Sequence, residues 1–140
     1  MRLASCVPAV VALAFALGAC GESSEEKAQT TVCDAKADIG KQVDELKSLT
    51  PATVTSDAVK QSLDAIKNDL SDISGAQSEL SSDRRSEVEA ANKAFASSVQ
   101  GIASEALRSL SAADAKTALV TALQQLEASY KDTFAPVDCS

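Results

Sequence analysis

The 140-residue chain has no histidine and no tryptophan, and its only aromatic side chains are Phe15, Phe95, Tyr130 and Phe134. Without histidine there is no imidazole acid or base, no His-based catalytic triad and no metal site that needs a His ligand. Cations are scarce as well. Thirteen Lys and Arg face 20 Asp and Glu, for a net charge of −7, so the clustered basic residues that hold nucleic-acid phosphates are missing. There is no glycine-rich phosphate loop and no Asp-x-Asp loop with a central glycine of the calcium-binding kind. The carboxylates do not form a facing pair: Glu22, Glu25 and Glu26 lie in a polar stretch, and Glu87 and Glu89 point to different faces of one helix. The serines at 71, 74, 78, 81 and 82 read as helix surface and caps. The sequence therefore predicts a protein that is not an enzyme, with no catalytic residues, no cofactor, no metal and no nucleic-acid partner.

Long apolar runs are also lacking. The longest, Val7 to Leu17, is interrupted by Pro8 and falls short of the roughly 20 residues that span a bilayer, but it fits the apolar region of a signal peptide. It follows Met1-Arg2-Leu3 and ends at Leu17-Gly18-Ala19-Cys20. These residues resemble the lipobox of bacterial lipoproteins. The resemblance implies diacylglyceryl transfer to the Cys20 thiol, cleavage after Ala19 and anchoring to the outer face of the cytoplasmic membrane. Two or three acyl chains on one residue make such attachment effectively permanent. Loss of residues 1–19 removes Arg2 and no acid, so the remaining chain is more acidic still.

Residues 20–31 are polar and lack a periodic apolar face, which reads as a flexible lipidated tether, and residues 32–140 read as the folded domain. From Val32 onward apolar residues recur at helical spacing. The first stripe is Val32, Ala35, Ile39, Val43, Leu46 and Leu49, ended by Thr50-Pro51. The second starts at the cap candidate Ser56 and carries Val59, Leu63, Ile66, Leu70, Ile73 and Leu80, with Gly75 as a possible end. The third runs through Val88, Ala91, Phe95, Val99, Ile102, Ala106 and Leu110. The fourth begins at a capping-box pattern, Ser111 to Asp114, carries Leu119, Leu123, Leu126, Tyr130 and Phe134, and stops at Pro136. Lys41/Glu45, Lys60/Asp64, Glu89/Lys93 and Glu127/Lys131 are spaced for surface ion pairs. Gly40 and Gly101 are candidates for close helix approach. The fold class is all-α, an up-and-down four-helix bundle.

Cys6 leaves with the signal segment and Cys20 is assigned to lipid, which leaves Cys33 and Cys139. In an exported domain an even residual pair is most simply a disulfide. An up-down-up-down bundle also brings the start of helix one and the end of helix four together. Free thiols and a bridge between two chains are the alternatives.

The whole pattern resembles small helical lipoproteins and secreted proteins of actinobacteria, with Cys33-Asp34-Ala35-Lys36-Ala37-Asp38 its most specific stretch. That resemblance implies no catalytic residues. The function expected is a membrane-anchored, non-enzymatic interaction module with a protein partner at the cell surface. A carrier of a small apolar or lipid-like ligand, contacted by Phe95, Tyr130 and Phe134, is the rival. Chain order puts Arg84-Arg85 at the membrane-proximal end as a candidate contact with anionic headgroups. The same order leaves Pro51 to Val54 and Ser109 to Ser111 at the distal end for a partner.

Overall fold

The computed structural model of the chain describes Gly21, residues 23–105 and residues 113–140. Four helices make the fold: α1 (Ser24–Lys47), α2 (Ser56–Ala76), α3 (Ser82–Glu105) and α4 (Ala113–Phe134), with a 3-10 turn at Gln77–Glu79. Each packs on its two neighbours in the cyclic order α1, α2, α3, α4, the arrangement of an up-and-down bundle. There is no strand among the described residues. The apolar stripes supply the core. Ile39, Val59, Ile66, Ile73, Phe95, Val99, Leu119 and Leu123 are wholly buried. The stripe residues Ala106 and Leu110 and the capping pattern at Ser111 lie outside the described residues.

α1 begins earlier than its apolar stripe indicates, and the tether reading of residues 20–31 is corrected for Ser24 to Thr31, which are helical. Ser23 accepts the Glu26 N–H on its hydroxyl while the Glu26 carboxylate accepts the Ser23 N–H at 2.8 Å, a reciprocal cap that satisfies two otherwise orphaned donors. Ala28 is buried, and Glu25 accepts the Ser81 N–H at 3.3 Å. This first stretch of α1 is thereby packed against the α2–α3 connection. Only Gly21, Glu22 and Ser23 separate Cys20 from the helix, a reach of about 10 Å when extended.

The cap of α2 is Thr55, one residue before the expected Ser56; its hydroxyl accepts the Ala58 N–H at 3.2 Å. Gly75 does not end α2, which continues to Ala76 and tightens into the 3-10 turn. Leu80 then returns to the core at 4% exposure. Of the four expected surface pairs only Glu127–Lys131 forms among the described residues. Lys41 binds Asp38 at 2.7 Å instead, and Asp64 binds Lys67 at 3.5 Å. Glu127 also accepts from Lys47 at 2.9 Å, tying α1 to α4, and the two lysines hold its carboxyl below the ordinary glutamate range, Lys131 most strongly.

At Gly40 on α1 the Tyr130 side chain of α4 approaches the backbone closely. A Cβ there would lie 3.0 Å from the Tyr130 hydroxyl and 3.4 Å from its ring, whereas one at Gly75 or Gly101 would meet nothing within 4 Å. The Tyr130 hydroxyl donates to the Lys36 carbonyl at 2.7 Å, so it cannot recede without losing that bond. Alanine improves helix propensity by about 1 kcal/mol over glycine at each site. At Gly40 that gain is set against displacement of a hydrogen-bonded ring, which costs about 1–3 kcal/mol. Gly101→Ala and Gly75→Ala should raise the thermal midpoint, and Gly40→Ala should leave it unchanged or lower it. A rise at Gly40 equal to that at Gly101 would show that Tyr130 is not held as described.

Two polar residues are buried among those described, Ser62 on α2 and Asn92 on α3. Asn92 is 7% exposed; its amide donates to the Leu70 carbonyl at 3.1 Å and to the Ser74 hydroxyl at 2.8 Å, linking α3 to α2. Its carbonyl oxygen is buried without a partner, so the link carries a desolvation cost.

Candidate functional site

The end of the bundle at which α1 begins is tied to the C-terminal segment in two ways, by a disulfide and by the seating of Val137. Cys33, ten residues into α1, is bonded to Cys139 with the two Cα atoms 5.6 Å apart. The segment after α4 is drawn onto α1: Val137 is buried at 4% exposure, and its carbonyl accepts from the Lys36 ammonium at 2.7 Å. Asp138 accepts from the Ser140 N–H at 2.9 Å and from the Ser140 hydroxyl, which holds its carboxyl below the ordinary range, with Arg84 and Lys36 contributing at longer distance.

The arginine pair separates into two roles. Arg85 donates to the carbonyls of Gln77, Ser78 and Leu80 at 3.1, 2.9 and 3.1 Å. It closes the chain between α2 and α3, where helix-end carbonyls lack intrahelical partners. This accounts for a cation at the start of α3, a position that the helix dipole disfavours. Arg84 is half-buried and lines a cleft beside the disulfide.

Phe95, Tyr130 and Phe134, the residues expected to touch an apolar ligand, do meet one another. The Phe95 ring stands edge-on to Tyr130 and to Phe134, both at 5.7 Å between centroids, and Tyr130 lies 5.4 Å from Phe134. Phe95 and Phe134 are at most 1% exposed. The three rings fill the space between α3, α4 and α1 with their own contacts, the edge-to-face geometry that aromatic pairs prefer. Burial raises the Tyr130 phenol above its ordinary value, and the Asp44 charge adds to the rise. A group raised on folding contributes stability below its unfolded value and loses it as pH climbs through the folded one. Stability should therefore decline above about pH 10. Because Tyr130 is the single tyrosine and tryptophan is absent, phenolate absorbance reports it alone, and its midpoint should lie above that of the unfolded chain. Equal midpoints in the two states would remove the buried hydroxyl from the account.

The opposite end differs in charge. Ala94 to Ser104 on α3 and Thr117 to Leu126 on α4 contain no charged residue, and the two runs lie side by side because the helices are antiparallel neighbours. Between them opens a groove of about 390 Å³ whose lining includes Ser98, Gly101, Ala122 and Gln125 over Ile102 and Leu126. The Ser98 and Ser129 hydroxyls, 2.9 Å apart, bridge its floor. The described ion pairs all involve α1, α2 or the second half of α4. The apolar stripes of α3 and α4 do not by themselves reveal this surface; the signal in the sequence is the lack of charge at the polar positions of the two runs. Of the distal residues expected to be accessible, Pro51, Ala52 and Thr53 are exposed, Val54 is buried at 2%, and Ser109 to Ser111 lie outside the described residues.

Among the described residues no helix is long and apolar enough to cross a membrane, and Cys20 lies outside them. Comparisons with protein-family models, curated proteins and solved structures found no match.

Proposed function

We propose that the protein is a lipid-anchored, non-enzymatic interaction module on the outer face of the cytoplasmic membrane, with the uncharged α3–α4 face as its docking surface for a protein partner. The Leu17-Gly18-Ala19-Cys20 sequence supports the anchor. The Cys33–Cys139 bond suits an oxidising, extracytoplasmic compartment. With α1 starting four residues after Cys20, the disulfide end faces the membrane and the far halves of α3 and α4 face away from it.

The observation that carries the docking surface is the segregation of charge. Interface cores are depleted in charged residues relative to the rest of a protein surface, and here an acidic chain keeps two adjacent helix runs free of any charge. The test is photo-crosslinking from Gln100, Gln125 and, as a control, Lys60 on the lipidated protein in its own membranes; all three positions are exposed. One discrete adduct is expected from Gln100 and Gln125, none from Lys60, and Gly101→Glu should abolish it, since that position has open space for a side chain. Adducts that form equally from Lys60, or that survive Gly101→Glu, would contradict the surface.

A further inference from the structure

Beside the disulfide, α1, the start of α3 and the C-terminal segment enclose a cleft of about 310 Å³, the low end of the range for small-molecule sites. Its floor is apolar: Val32, Leu80, Val88 and Val137 line it, each at most 4% exposed. Its polar lining includes Arg84, Glu87 and Asp138. Arg84 and Glu87 are three residues apart on α3 and so share a face, yet no ion pair joins them among the described residues, and neither joins Arg84 to Asp138. Arg84 is half-buried, while its neighbour Arg85 has three carbonyl partners. A guanidinium in this position presents a planar fork of donors, the arrangement that matches a carboxylate on two bonds. The two acids beside it oppose a dianion such as phosphate and favour a ligand that also carries a positive charge. The floor favours a ligand with a short aliphatic chain.

We infer that this cleft binds a small aliphatic zwitterion of the α-amino acid class, its carboxylate on Arg84, its ammonium toward Glu87 and Asp138, and its side chain on the valine and leucine floor. Asp138 is a carboxylate at neutral pH, as an ordinary aspartate is, and the Ser140 hydrogen bonds lower its carboxyl further. One wall, Pro136 to Asp138, is fixed by the adjoining disulfide, so the site is preformed and little ordering is needed on binding. The inference does not depend on the docking surface, which lies at the other end of the bundle.

The test is an NMR titration of the oxidised, isotope-labelled protein with L-leucine, with leucinamide, which lacks the carboxylate, and with 4-methylpentanoate, which lacks the amine. Leucine should give saturable shifts confined to the cleft, and each analogue should bind at least about tenfold more weakly. Arg84→Gln should abolish the leucine shifts without moving the thermal midpoint. Glu87→Gln, at an exposed position, should weaken leucine while strengthening 4-methylpentanoate, whose carboxylate is then repelled by one acid fewer. No saturable shift at millimolar leucine, full binding by leucinamide, or unchanged binding in Arg84→Gln would each overturn the site.

Discussion

Replacing Cys33 or Cys139 by serine should lower the thermal midpoint by more than about 15 °C. The bond joins positions 106 residues apart, and closing a loop of that length removes chain entropy from the unfolded state equivalent to about 4–5 kcal/mol. For a domain near 100 residues each kcal/mol moves the midpoint by roughly 4–8 °C, and total stability is only about 5–15 kcal/mol. No other single tie at this end compares with it. Without the bond, the segment after Phe134 is held by the Val137 side chain and by the Lys36 hydrogen bond to its carbonyl. Reduction should therefore leave the helices formed at low temperature while the amides of residues 135–140 lose protection from hydrogen exchange. A midpoint shift below about 5 °C would mean that the reduced, unfolded chain is already compact, which removes the entropy argument.

Phe95→Ala should cost about 3–5 kcal/mol, the range for truncating a buried aromatic. Phe95 is wholly buried and is the ring that both Tyr130 and Phe134 meet edge-on. The Tyr130 and Phe134 rings then lose their shared edge-on partner, and a close-packed core relaxes only partly into the space left behind. Because Tyr130 reaches from this cluster to the Lys36 carbonyl, the substitution should also lower the midpoint of the Tyr130 titration. Denaturant unfolding measures the first effect and absorbance the second. A cost below about 1.5 kcal/mol would show a core able to collapse around the site, in conflict with the packing described.

Both features are legible in the sequence, Phe95 through the periodicity of its stripe and the cysteine pair through the even residual count and bundle topology. Ile39, Val43, Leu63, Ile66, Val99 and Leu123 stand at helical spacing in sequences whose other positions are polar, so core and surface separate on inspection, and all six are buried. The terminal cysteines followed from topology. The start of α1 was hidden because the capping box of Ser23 and Glu26 sits in a stretch where Ala28 alone marks the buried face. Asn92 was illegible for a different reason: an amide on a core face is interpretable only when the carbonyl of Leu70, on another helix, is placed beside it. The same holds for Arg85, which acts on carbonyls across a turn, and for Gly40, whose meaning depends on the register of α1 against Tyr130. The cleft at Arg84 draws on three elements distant in sequence, and no local pattern announces such a place.

The bundle is closed on itself by Cys33 and Cys139, and the proposed function ties it to the membrane at Cys20. Intact-mass spectrometry of the protein extracted from its own membranes addresses both ends of that claim at once. The account predicts a chain that begins at Cys20, heavier by a diacylglyceryl group and lighter by the two hydrogens lost to the disulfide. A chain that retains residues 1–19, or that carries an unmodified Cys20, would contradict it.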